Sequence, residues 1–477
     1  MSEEPGRSDR ASTGPSTAED RPATYREVFA VGEFRAVFAG GALSSIGDYL
    51  GKVALAALMY QATGSVLASA ASLAVTYLPW LTGAPFLVAL AERYPYRRVM
   101  VGCDVARLAL VGLAALPGVP IVLLPVLMFL AAMLSPPFES SRSALLPTIL
   151  SGDRYVLGLA INGIGAQATQ VGGFVFGGAI AAVDPRLALV VDAVTFGLSA
   201  LLIGLLVAPR PAVARTGPRG RLLKETAEGF AVVFGSKVLR SIAVVILSAV
   251  SFAILPEGLA AGWADELHGG TVTQGLIMAA EPVGVVVGGV VIGRMVPPGV
   301  RRRLIRPLAM LVPLSLVGVL AEPPLPVVLL LAALTGFAMS VILPANGLFV
   351  QALPDGYRAR AFGVMQGGLQ LVQGAVIIVG GAVAGVLGVS RTVGLWSLIG
   401  LAVMVAVTML WPRSSEFDEA ITQAKERNAA AMARDDSPEA SHDPAPPESR
   451  ARDAAPPRTR RFHRRADVPR TAGADRR

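Results

Sequence analysis

From about residue 36 to residue 411 the chain alternates long apolar runs with short charged breaks. The runs predict helices at roughly 36–61, 65–90, 99–116, 120–137, 156–183, 187–207, 241–263, 272–292, 304–321, 325–344, 360–387 and 392–411. Each approaches the ~20 apolar residues that a membrane crossing needs. Pro79, Pro85, Pro256, Pro282 and Pro313 fall inside runs; membrane helices tolerate them, and they predict kinks. The expected fold is all-α and membrane-integral, with about twelve transmembrane helices.

The breaks carry a one-sided charge pattern. Arg26 and Arg35, then Arg93, Arg97 and Arg98, then Arg142 and Arg154 fall on one side, as do Arg210 to Arg240, Arg294 to Arg306, and Arg358 with Arg360. The other side holds Arg186 and Arg391 among Asp184, Asp265, Glu266 and Glu322. Cytoplasmic loops hold the excess of Lys and Arg, so both termini are expected in the cytoplasm of a plasma or inner membrane, with an even number of spans.

The middle of the chain repeats in parallel. Gln167 and Gln170 match Gln370 and Gln373, and Gly177-Gly178-Ala179 matches Gly380-Gly381-Ala382, at 373 − 170 = 203. Leu146-Pro147 matches Leu353-Pro354 at 207, and Arg35 matches Arg240 at 205. Repeats of one direction imply two similar six-helix bundles related by a pseudo-twofold axis. The expected layout is a disordered N-terminal segment 1–34, a bundle 35–207, a central loop 208–240, a second bundle 241–411, and a largely disordered basic tail 412–477. A short helix at Glu416–Ala433 would open that tail.

Composition narrows the chemistry. Only 16% of residues are charged, against about 25% in soluble domains. Cys103 is the single cysteine, and His268, His442 and His463 are scattered. No metal set, no nucleophile–base pair and no phosphate-binding Lys-Ser/Thr loop is legible, so neither cofactor nor enzymatic activity is expected. The net charge of +8 reads as topology and tail rather than nucleic-acid binding.

The loop Leu90-Ala91-Glu92-Arg93-Tyr94-Pro95-Tyr96-Arg97-Arg98 resembles the Gly-x-x-Ala-Asp-Arg-x-Gly-Arg-Arg signature of the major facilitator superfamily. Val88, Glu92, Pro95 and Tyr96 depart from it. Ser44-Ser45-Ile46-Gly47-Asp48, Asp104-Val105-Ala106-Arg107 and Asp192-Ala193-Val194-Thr195-Phe196 resemble its bacterial drug-efflux branch of macrolide- and siderophore-exporter-like proteins. The resemblance spans about Arg26 to Arg413. It implies a monomeric secondary transporter working by alternating access, with a small-molecule substrate, a proton as coupling ion and lipid around it. Proton-coupled efflux of small or amphipathic molecules is the first expectation, through a cavity walled by Leu, Val, Phe and Ala. A nutrient importer, favoured by a polar cavity, and a lipid-moving or sensory protein are the alternatives.

Charges within apolar runs are costly and are functional candidates by default. Asp48 and Lys52 lie four apart on one helix face, and the 205 offset carries Lys52 onto Glu257. The resemblance sets their two helices face to face across a cavity, so Lys52 has two candidate partners. Glu281, beside Pro282, has no basic neighbour on its helix and suits a proton carrier. Gln167, Gln170, Gln370 and Gln373 suit either substrate orientation or helix–helix adhesion. Asp104 and Arg107 suit a structural ion pair, and Asp192 a structural role. By resemblance Glu92, Arg93, Arg97, Arg98 and Arg142 form a gating motif, with Glu92 near a helix N-terminus.

Overall fold

The computed structural model describes residues 23–82, 87–88, 91, 93–210 and 222–435. Every regular element among them is a helix. The described residues open with α1 (Tyr25–Ala30), where Thr24 and Glu27 form a capping box. Reciprocal side-chain bonds satisfy two otherwise orphan N–H groups. Residues from Tyr25 are therefore helical where a disordered segment to residue 34 was expected.

The first half comprises α2 (Gly32–Thr63), α3 (Val66–Ala74), α4 (Pro79–Thr82), α5 (Tyr96–Ala115), α6 (Leu123–Ala132), α7 (Ser135–Ile149), α8 (Asp153–Val183) and α9 (Pro185–Leu206). After α10 (Leu222–Gly235) the second half comprises α11 (Lys237–Ala253), α12 (Leu255–Glu266), α13 (Thr271–Val290) and α14 (Pro298–Val317). It continues with α15 (Leu325–Met339), α16 (Ile342–Ala352), α17 (Arg358–Leu387) and α18 (Val389–Met409), and α19 (Ser414–Asp435) follows. Among the described residues, ten helical stretches are long and apolar enough to cross a membrane. The shorter apolar helix Val66–Tyr77 and the charged α5 stand in the second and third span positions, giving the twelve-helix, two-bundle fold.

The repeat is visible in how the helices break. The fourth span divides between α6 and α7 and the tenth between α15 and α16. The second pieces begin at Ser135 and Ile342, 342 − 135 = 207 apart. Pro137 and Pro344 follow each break. Proline has no N–H to donate to the preceding turn, so the ladder is interrupted there.

Besides α1, two elements lie outside the spans. α10 occupies the stretch expected to be a central loop and packs on α17, where Arg360 pairs with Glu228 at 2.7 Å. α19 docks on the second half through residues up to Asn428. Phe417 is buried under the Arg302 guanidinium, Lys237 donates to Glu416 at 2.6 Å, and the Asp355 amide donates to Asn428.

The halves meet closely on the side opposite α1 and α19, the terminal elements of the described residues. A Cβ at Gly178 of α8 would come 2.9 Å from the Gly275 Cα of α13, and one at Gly381 of α17 would come 2.6 Å from the Ala70 Cβ of α3. Small residues let backbones approach where apolar lipid offers no hydrophobic drive to association. The Tyr60 hydroxyl donates to Asp265 at 2.8 Å, and the Gln274 amide donates to the Val53 carbonyl at 3.0 Å.

Candidate substrate site

Below this seam, between the halves, lies a cavity with about 350 Å³ of free space. α2 supplies Ser44, Ser45, Asp48, Tyr49 and Lys52; Thr76, Tyr77 and Trp80 come from the second span, and Arg107 from α5. Ser135, Glu139, Gln170, Asp192 and Phe196 continue the first half's wall, and Val111, Met128, Ala131 and Ala132 complete it. The second half contributes Glu257, Gln370 and Gln373. The wall thus mixes charged and polar groups and aromatic rings with Val, Met and Ala, where a lining of Leu, Val, Phe and Ala was expected. A charge pointed at hydrocarbon costs about 2.5–3.5 kcal/mol or more, so the intramembrane charges turn inward and converge here.

Lys52 sits at the junction of the halves. Its Nζ lies 3.3 Å from Glu257 Oε1 and donates to the Tyr77 hydroxyl at 3.3 Å, while Tyr77 donates to Glu257 at 2.9 Å. The ammonium also stands 4.8 Å from the Tyr77 ring centroid and 5.4 Å from that of Tyr49. Such cation–π contacts add to the ion pair's attraction. Of the two partners open to Lys52, the ion pair is with Glu257.

Asp48 instead belongs to a second cluster. Arg107 Nη1 is 3.8 Å from Asp48 and 3.7 Å from Asp104. Ser44 and Ser199 donate to Asp104, at 3.3 and 2.6 Å, and Arg107 donates to Ser44. The guanidinium lies between the rings of Phe138 and Phe196. Asp192 is buried against Gly47 and Gly51, and neither carboxyl oxygen has a partner among the described residues. One arginine therefore faces Asp48 and Asp104 with Asp192 nearby, an excess of acid over base.

The remaining candidates divide. Gln170, Gln370 and Gln373 line the cavity, and Gln370 Oε1 is buried with no partner among the described residues, as is Gln167 Oε1 away from the lining. Glu281 is half-buried, off the lining, and within electrostatic reach of Glu257. In the loop motif, Glu92 lies outside the described residues. Arg142 pairs with Glu139 at 2.7 Å, Arg97 donates to the Gly204 carbonyl, and Arg93 and Arg98 are exposed.

Sequence reasoning missed Tyr77, Tyr49, Trp80 and Glu139. Tyrosine and tryptophan inside an apolar run carry no signal that separates cavity from lipid. The Tyr60–Asp265 contact was within reach, because 265 − 60 = 205 repeats the offset of Lys52 and Glu257.

Comparison with known proteins follows the same lines. A sequence profile of the Major Facilitator Superfamily matches residues 37–305 and again 245–462. Over 346 residues the chain is 28% identical to the multidrug efflux pump Tap of Mycobacterium tuberculosis (strain H37Rv) and of Mycobacterium bovis (BCG strain Pasteur), covering 68% of this chain and 80% of Tap. The fold is similar to a POT family transporter in complex with 5-aminolevulinic acid (TM-score 0.64, 12% identity, 80% of this chain and 96% of that one). It is also similar to the nucleoside transporter NupG (TM-score 0.60, 16% identity, 80% and 100%). A bacterial homologue of the lysosomal transporter Spinster in an inward-facing state has a TM-score of 0.60 at 14% identity, over 86% and 96%. The chain belongs to the Major Facilitator Superfamily, a family of membrane transporters with small-molecule substrates.

Proposed function

We propose that this chain is a proton-coupled exporter of small amphipathic molecules that carry a charged or polar group. The observation that carries the reading is the Lys52–Glu257–Tyr77 junction, which closes a polar cavity where the two halves meet. The halves, taken as 35–207 and 241–411, would rock about it in alternating access. The contacts Gly178–Gly275 and Tyr60–Asp265 correspond to the state closed on the far side, with the terminal side cytoplasmic.

A charged group of the substrate would compete within the junction. An ammonium takes the place of Lys52 on Glu257, or a carboxylate that of Glu257 on Lys52. A proton on Glu257 removes the charge that Lys52 faces and weakens the tie between the halves. Proton and cationic substrate then exclude each other at one carboxylate, which is the logic of an antiporter. Asp192 offers a further proton-holding carboxyl, since a buried carboxylate without a counter-charge is costly, and Asp48, which shares Arg107 with Asp104, offers another. Gln370 and Gln170 would orient polar parts, and Tyr49, Tyr77, Trp80 and Phe196 would pack against rings or hydrocarbon.

The Tap relative supports the outward direction. The polar lining favours a second reading, a metabolite importer, because a charge-rich cavity suits hydrophilic solutes. Transport of a compound panel by proteoliposomes, with and without an imposed proton gradient, separates the two. Gradient-driven counter-movement of amphipathic compounds supports export, and co-movement of hydrophilic metabolites supports import. No gradient-dependent transport of either class would refute both.

A further inference from the structure

A second cavity, of about 650 Å³, lies away from the central one, where α5 begins and α9 ends. Pro95, Arg97, Arg98 and Val101 line it from one side, and Gly204 and Arg210 from the other. Its charge is one-sided. Arg210 is neutralised by Glu33 at 2.6 Å, and Arg97 gives one N–H to the Gly204 carbonyl. Arg98 is exposed and has no ion pair among the described residues. Among the described residues, two guanidinium charges therefore have no carboxylate partner at the mouth of the cleft.

The cleft continues down an apolar, outward-facing seam. Val105 lies one turn from Val101 and Gly102, Leu201 one turn from Gly204, and these two side chains are 50% and 55% exposed. The opposite face of α5, with Cys103, Asp104 and Arg107, is buried. A Cβ at Gly204 would meet only Val101, at 3.7 Å, and one at Gly102 would meet nothing within 4 Å. The two glycines leave the groove open where a larger residue would fill it.

A basic pocket at the membrane surface above a greasy furrow has the shape of one ligand class. We propose that this groove binds an anionic glycerophospholipid of the leaflet on the terminal side. The phosphate sits between Arg97 and Arg98, and an acyl chain runs along Val105 and Leu201. A free phosphate ester shares the headgroup chemistry, but it would leave the exposed apolar furrow uncovered. The site is independent of the transported substrate, since none of its residues lines the central cavity.

The test is native mass spectrometry of the full chain in detergent, offered phosphatidylglycerol, phosphatidylcholine or soluble glycerol 1-phosphate. Wild type should retain phosphatidylglycerol over phosphatidylcholine. Arg98→Gln should cut that preference roughly five-fold, the effect of one basic residue at an anionic surface. Gly102→Leu should abolish retention while leaving the thermal midpoint unchanged, and Arg391→Gln, on the far side, should behave as wild type. Equal retention of the two lipids, or unchanged retention in both groove variants, overturns the proposal. Binding of glycerol 1-phosphate as tight as that of the lipid overturns the assignment to a membrane lipid.

Discussion

Lys52 and Glu257 stand 205 residues apart in the chain and 3.3 Å apart in space, one on each half of the molecule. Removing one member leaves the other charge unpaired, which approaches a cost of ~3–5 kcal/mol when the site is dry. Lys52→Met alone should therefore lower the thermal midpoint and expression more than Lys52→Met with Glu257→Gln. Lys52→Met with Asp48→Asn should give no such rescue, because Asp48 faces Arg107. A double-mutant cycle on unfolding midpoints measures this coupling, and equal damage in single and double variants would refute the pairing.

The far-side seam should set the balance between states. At Gly178 a side chain would meet the Gly275 Cα and the Thr271 carbonyl at 2.6 Å, both backbone atoms that cannot turn away. Gly178→Val should shift the population toward far-side opening, and Tyr60→Phe should do so more weakly. Spin labels on either side of the seam would report longer distances in both variants. Unchanged distances in Gly178→Val would mean that the seam does not hold the state.

Topology gives an independent check. In a Cys103→Ser background, Gly270→Cys and Pro323→Cys should react with an impermeant thiol reagent in intact cells. Tyr94→Cys and Val300→Cys should react only after lysis. Labelling of either of the last two from outside would reverse the orientation inferred from the arginines.

How much of this was legible in the sequence differs by level. The spans followed from apolar run length, and the two-bundle plan from repeat offsets, because burial in lipid leaves the backbone few alternatives. The 205 offset placed Lys52 against Glu257, since equivalent positions on equivalent helices meet at a pseudo-twofold axis. The helix breaks at Met133–Leu134 and Ser340–Val341 were not read, because the apolar runs give out at about Pro137 and Pro344, and a run that ends does not show that a helix restarts at Ser135 and Ile342. The Asp48–Arg107 contact joins α2 to α5, a tertiary relation with no trace in spacing. The cavity's polarity was misjudged because average composition describes the lipid-facing surface more than the inner wall.

The tail helix should respond to pH. The hydrogen bond from Lys237 holds the Glu416 carboxyl below its usual 4.5. Its contribution to docking is thus present above about pH 4.5 and is lost as the pH falls below that. Limited proteolysis of α19 should accelerate at low pH in wild type, and Glu416→Gln should show the faster cleavage already at neutral pH. Phe417→Ala, which empties a buried site, should free the helix at every pH, with a docking loss of ~3 kcal/mol or more. Identical cleavage of all three proteins would mean that these contacts do not hold the tail.

The central claim is that the Lys52–Glu257 junction couples proton movement to substrate movement. It is tested most directly by uphill transport in proteoliposomes under an imposed proton gradient, alongside substrate exchange at equal pH on both sides. Wild type should accumulate substrate against its gradient and lose that accumulation when a protonophore is added. The neutral pair, Lys52→Met with Glu257→Gln, should still exchange substrate across the membrane but accumulate none. Wild-type accumulation by the neutral pair, or wild-type accumulation indifferent to the protonophore, would contradict the account.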